Sequence, residues 1–199
     1  MRRAREAPAN LAPAAEARFV RQLLPSSMHP HIQVVFLREV ERQARFALLA
    51  IADLEQGSAQ SAMDRIRSSM QAFLVATGNV AKLLWPTKDS DVARGVELRQ
   101  VLQVDDGSPL SPRTFRNHFE HFDERLDSWA RSSERKNFAD SNIGPLGMID
   151  GLDAGDYIRN YDPTTQTVAF RGDVYHLGPV IAALRELHAL AKQATPIAR

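Results

Sequence analysis

Cysteine is absent from the chain, so disulfide frameworks, thiolate nucleophiles and Cys-type zinc sites are excluded together. Nothing in the composition therefore ties the protein to an oxidising compartment. Long apolar runs are missing too: the longest stretches, such as Phe46 to Ala52, fall far short of the ~18 to 20 residues that cross a bilayer. Net charge is only +1, so no global positive potential advertises nucleic acid, and any such binding must come from a local patch. The sequence holds no Gly-rich phosphate loop, nucleophile elbow or dinucleotide fingerprint. The N-terminus opens with Arg2 and Arg3, but Glu6 and Glu16 interrupt it and no apolar core of a signal peptide follows. The expectation is a flexible tail over residues 1–16 of a cytoplasmic protein with no membrane attachment.

What is present is an ordinary globular composition, 44% hydrophobic and 25% charged over 199 residues, enough for a single domain over residues 17–199. From His31, the spacing of Leu37, Val40, Ala44, Leu48, Ile51 and Leu54 predicts a long amphipathic helix ending at Gly57. Ile66, Met70, Phe73, Thr77, Val80 and Leu84 predict a second, which stops before Pro86. A shorter helix is expected from Asp89 to Gln103, closed by Asp105-Asp106-Gly107. A fourth starts at Ser111, a good N-cap, with Pro112 in the first turn and a stripe of Phe115, Phe119, Phe122, Leu126 and Trp129 marking its core face. The expected fold is thus mainly α: an up-and-down helical bundle over residues 31–131, a small C-terminal antiparallel β-hairpin over 157–176 and a final helix over 178–194.

Unusual chemistry gathers in one place, Arg116-Asn117-His118-Phe119-Glu120-His121, on the fourth predicted helix. Histidine moves protons at neutral pH, and arginine holds a phosphate and stabilises charge developing on it. That pairing suits phosphodiester chemistry. The chain contains three Arg/His pairs of comparable spacing, Arg113/His118, Arg116/His121 and Arg171/His176. Arg171/His176 falls in the predicted hairpin, and Arg113 lacks the polar neighbour that Asn117 gives Arg116.

The string Arg116-Asn117 followed by His121 resembles the defining motif of the HEPN superfamily, an Arg, four to six residues and a His, usually with a polar residue directly after the Arg. The motif's place in a late helix also agrees, and the wider string RNHFEHFDERL is similar to that of small bacterial members. The resemblance covers residues 31–131. It implies a helical-bundle endoribonuclease that needs no metal or other cofactor, of toxin or defence type, with Arg116, Asn117 and His121 as catalytic residues. It further implies His118, Arg113 and Arg125 as substrate contacts, RNA as substrate, a homodimer that completes the site, and an antitoxin or other protein as partner. The alternative is a catalytically silent regulatory or interaction domain, favoured by the acidic residues Glu120, Asp123, Glu124 and Asp127 beside the motif, which repel RNA.

Two other patterns are weaker. His118, His121 and Glu124 could present metal ligands from one helix, but a metal site needs further ligands from another element, and no Glu-x-x-His occurs in the chain; no metal is expected. Asp153, Asp156, Asp162 and Asp173 fit turn geometry and match no calcium loop.

Overall fold

The computed structural model describes residues 28–112, 117 and 121–195; the expected tail, and Arg113, Phe115, Arg116, His118 and Phe119, lie outside the described residues. The described chain is mainly α-helical with one small sheet. Helix α1 spans Pro30–Ala59 and helix α2 spans Met63–Leu84. Pro30 occupies the first turn of α1, where its missing N–H costs nothing, and His29 Nδ1 accepts from the His31 amide at 3.3 Å. The three-and-four spacing of their apolar residues packs the two helices as an antiparallel hairpin.

The reversal between them corrects one sequence expectation. Gly57 does not end α1; it is a buried helical residue, and a Cβ there would stand 3.3 Å from Arg65 and Ile66 of α2. The glycine serves close helix approach. The left-handed position belongs instead to Ser61 (φ 52), with the Ala62 amide donating to the Gly57 carbonyl at 2.9 Å and the Ser61 amide to the Ser58 carbonyl at 3.1 Å. This is the Schellman arrangement built on a non-glycine residue.

Helix α2 ends at Leu84, before Pro86, as its sequence leads one to expect. Its last carbonyls are capped from α3, Val92–Val101, which follows a 3-10 turn at Asp89–Asp91. The Arg99 guanidinium donates to the Leu84 carbonyl, pairs with Asp106 at 2.9 Å and lies 5.5 Å over the Trp85 ring. Gly95 makes this approach possible, because a Cβ would meet Pro86 Cδ at 2.4 Å and the Leu84 carbonyl oxygen at 2.7 Å.

Of the segment expected as the fourth bundle helix, residues 113–116 and 118–120 lie outside the described residues. Helix α4 spans Phe122–Ser132 and has no buried residue; Phe122, Leu126 and Trp129 are half-buried. His121 is its N-cap, with φ −112 and ψ 43, so the helical run is interrupted there. Along α1 packs the final helix α5, Leu177–Ala194, whose Leu177, Ile181, Leu184, Leu187 and Ala191 are buried. His188 Nε2 of α5 lies 3.0 Å from a Glu41 carboxylate oxygen of α1.

Between α4 and α5 the chain forms a four-stranded sheet in the order β1-β2-β3-β4: Asn142–Ile143, Asn160–Asp162, Thr167–Phe170 and Asp173–His176. Strands β2 to β4 pair antiparallel, while β1 pairs parallel with β2, Asn142 opposite Asn160, so the sheet is mixed and larger than a hairpin. The β2–β3 turn is closed by Asp162, which accepts from the Thr164 amide at 2.9 Å and from Thr165 Oγ1 at 2.8 Å. Tyr161 and Val168 carry the sheet into the helical core.

Candidate functional site

Of the sequence-derived site residues, Asn117, His121 and Arg125 are described. Asn117 is helical and half-buried, and its carbonyl accepts from the His121 amide at 3.0 Å, so the two are one turn apart. The His121 side chain is 52% exposed, with Nδ1 3.4 Å from Glu124 Oε1. The carboxylate thus lies on the Nδ1 side of the ring, opposite Nε2. Arg125 follows one turn after His121, its amide donating to the His121 carbonyl at 3.2 Å; it is half-buried, and its charge opposes the upward shift that burial first and then Asp173 impose on the Tyr175 phenol. Arg113, Arg116 and His118 lie outside the described residues, so their distances from His121 are not part of the geometry. Of the His118, His121 and Glu124 series, the described pair is His121 and Glu124; among the described residues no group of three His, Asp or Glu side chains could hold a metal ion.

Helix α4 is fastened to the sheet and its preceding loop. The Arg159 guanidinium lies 4.5 Å over the Phe122 ring while binding Asp140 through both Nε, at 2.7 Å, and Nη2. From the β3–β4 turn, Arg171 donates to Ser128 Oγ at 3.0 Å and to Ser132 Oγ at 2.9 Å. Trp129 Nε1 donates to the Asn137 carbonyl at 2.9 Å, and its ring meets Phe138 edge-on at 4.8 Å. The polar anchors explain why this helix folds without a buried face: charge-assisted and aromatic contacts replace apolar burial.

Arg159 also lines a cleft of about 270 Å³ between the first turns of α2 and strands β1 and β2. Sequence reading missed this cleft. The available signal was Arg159-Asn160 within the predicted strand over residues 157–161, where a charged and an amide side chain among apolar neighbours need a structural or ligand partner. Asn160 is buried, donates to the Gly144 carbonyl at 3.0 Å and accepts from Asn142 Nδ2 at 2.5 Å. Arg67 stands at the mouth, 3.3 Å from both Asp64 Oδ1 and the Ser141 carbonyl. Tyr161, at the inner end, is held above the ordinary phenol pKa by burial first and then by Glu55 and Asp162.

A second concavity is shallower and apolar. It runs between α1 and α2, encloses about 920 Å³, and is edged by Phe46, Leu49 and Val75 over a floor of Ala50, Ala72 and Ala76. These three large side chains are 45%, 60% and 51% exposed. Among the described residues, no helix is long and apolar enough to cross a membrane. Comparison of the chain with family models, with curated proteins and with solved structures finds no match.

Proposed function

We propose that the chain is a HEPN-like endoribonuclease of toxin or defence type that cleaves RNA without a metal ion. The observation that carries this reading is the exposed His121 imidazole with the Glu124 carboxylate beside Nδ1, one helical turn from Asn117. In the proposed reaction the 2′-oxygen bonds to phosphorus as the P–O5′ bond breaks, leaving a 2′,3′-cyclic phosphate and a 5′-hydroxyl; His121 takes the proton of the 2′-hydroxyl or gives one to the 5′-oxygen, and the second copy's histidine does the other. Arg116 binds the phosphate and stabilises its developing charge, and Asn117 orients it. His118, Arg113 and Arg125 are proposed to contact neighbouring parts of the substrate, and a second copy to complete the site. Proton transfer by a placed histidine contributes ~10² to 10⁴-fold, and electrostatic stabilisation by arginine adds to it, so the chemistry does not call for a divalent ion. Cleavage of single-stranded RNA in excess EDTA is expected for the wild type and is expected to be lost in His121→Ala and Arg116→Ala. Cleavage destroyed by EDTA, or unchanged in His121→Ala, would overturn the reading.

The apolar groove favours a second reading, a catalytically silent domain that acts by self-association. The groove carries both protruding residues, Phe46 and Leu49, and the alanine floor that would receive them, which is what a two-fold interface between identical copies requires. Around Leu49, Arg45 and Asp53 lie four residues to either side, so a two-fold axis there sets each arginine against the other copy's aspartate. Leu49→Glu is expected to leave a monomer by light scattering if this face joins two copies. A dimer that survives the substitution would remove the second reading.

A further inference from the structure

The cleft between α2 and strands β1 and β2 has a chemistry distinct from that of an anion site. Each of its two guanidiniums has a carboxylate beside it, Arg67 with Asp64 and Arg159 with Asp140, so the cleft carries no excess of positive charge to draw in a phosphate or carboxylate. Hydrogen-bonding capacity is nevertheless left over. Each guanidinium spends two of its five N–H donors on the contacts with Asp64, Ser141 and Asp140. The Asn142 amide nitrogen is turned to Asn160, at 2.5 Å, and to the Met148 sulfur, at 3.4 Å. Its carbonyl oxygen accepts no hydrogen bond among the described residues. Met70, Ile143 and Val168 supply the apolar walls.

Donors and acceptors around apolar walls, with charge balanced, fit an uncharged heterocycle that carries both hydrogen-bond types on its edge. We infer that this cleft holds an unpaired nucleobase, which on the ribonuclease reading is a base of the RNA strand beside the cleaved bond. Position links the two sites. Phe122 directly follows His121, and the Arg159 guanidinium that lies over the Phe122 ring lines the cleft. Single-stranded RNA is recognised in this way, with splayed bases stacked on aromatic or guanidinium planes and bonded along their edges. A strand laid from His121 across the Phe122/Arg159 pair delivers its next base into the cleft.

The test uses the full chain with two probes, free nucleosides and a short single-stranded RNA. Nucleosides are titrated into His121→Ala while amide shifts of residues 64–71 and 141–161 are followed, and cleavage is measured on the otherwise wild-type protein. The expected result is nucleoside binding by His121→Ala. Arg67→Ala and Asn142→Ala are expected to raise KM for RNA about tenfold each, with kcat within about twofold. Arg67 is at the surface, so its variant keeps the test open if Asn142→Ala fails to fold. Cleavage with an unchanged KM in Arg67→Ala, together with no nucleoside shifts, would overturn the cleft proposal and leave the ribonuclease reading standing. Nucleoside binding without cleavage of any RNA would support the cleft and remove the ribonuclease reading. Neither binding nor cleavage would remove both.

Discussion

Helices α1 and α4 are both amphipathic, yet α1 buries eight residues, Leu37 to Gly57, and α4 buries none. The difference lies in what each helix faces. The aliphatic face of α1 meets α2 and α5 and forms the centre of the core, whereas the aromatic face of α4 meets the guanidinium of Arg159, the Asn137 carbonyl and Phe138. Burial of aliphatic surface stabilises by about 25 cal/mol per Å². A helix held by polar anchors at its rim opens locally at smaller cost. The candidate catalytic histidine stands at the start of the second kind of helix.

The comparison breaks first if an aromatic residue of the core and one of α4 matter equally. Phe73 on α2 is almost wholly buried, and Phe73→Ala is expected to cost about 3–5 kcal/mol in urea unfolding. Trp129→Ala is expected to cost less than half of that, despite the larger side chain, because half-burial leaves less area to lose. Equal losses would place α4 in the core. Next in size is Gly95→Ala, which pushes a methyl against the Leu84 carbonyl and Pro86 and is expected to destabilise by about 2 kcal/mol in the same measurement; a neutral result would show that α3 is free to shift.

Arg171→Ala sharpens the comparison, since it removes both serine anchors of α4 and leaves the helical core untouched. The expected global loss is about 1 kcal/mol, accompanied by faster proteolytic cutting after Ser132; a large global loss with no change in proteolysis would show that α4 unfolds with the core. The smallest effect concerns the turn before β3. Thr165 chiefly, with backbone amides of Thr164 and Thr165, holds the Asp162 carboxyl below its ordinary pKa. A carboxylate whose pKa is lowered by folding stabilises above its unfolded pKa, near ~3.9, and that contribution fades as pH falls through the folded value. The melting temperatures of wild type and Asp162→Asn are therefore expected to differ at pH 7 and to draw together as pH falls below about 4 and through the folded value. A gap independent of pH would assign the turn's stability elsewhere.

Helices α1, α2 and α5 were legible because their residues repeat at helical spacing over many turns, and the stop before Pro86 followed from proline chemistry. Gly57 misled because a buried packing glycine and a helix-ending glycine are the same letter; the left-handed residue was Ser61, which the sequence does not mark. The stripe of Phe122, Leu126 and Trp129 announces a face but not its partner, which among the described residues is the sheet and the loop before it. Strand β1 is two residues long and polar in its first, too short for any periodicity. Within the site, His121 stood out by residue type, whereas the cleft of Arg67, Asn142, Arg159 and Asn160 draws on three distant stretches of chain and exists only once β1 lies beside β2.

Hydrogen exchange of His121→Ala, with and without a short single-stranded RNA, tests the account most directly. Without RNA, amides of α4 are expected to exchange faster than those of α1, α2 and α5 by several orders of magnitude. With RNA, protection is expected to rise in α4, in β1 and β2 and in the first turns of α2. Uniform exchange across all the helices, or RNA-dependent protection confined to the groove of Phe46, Leu49 and Val75, would contradict it.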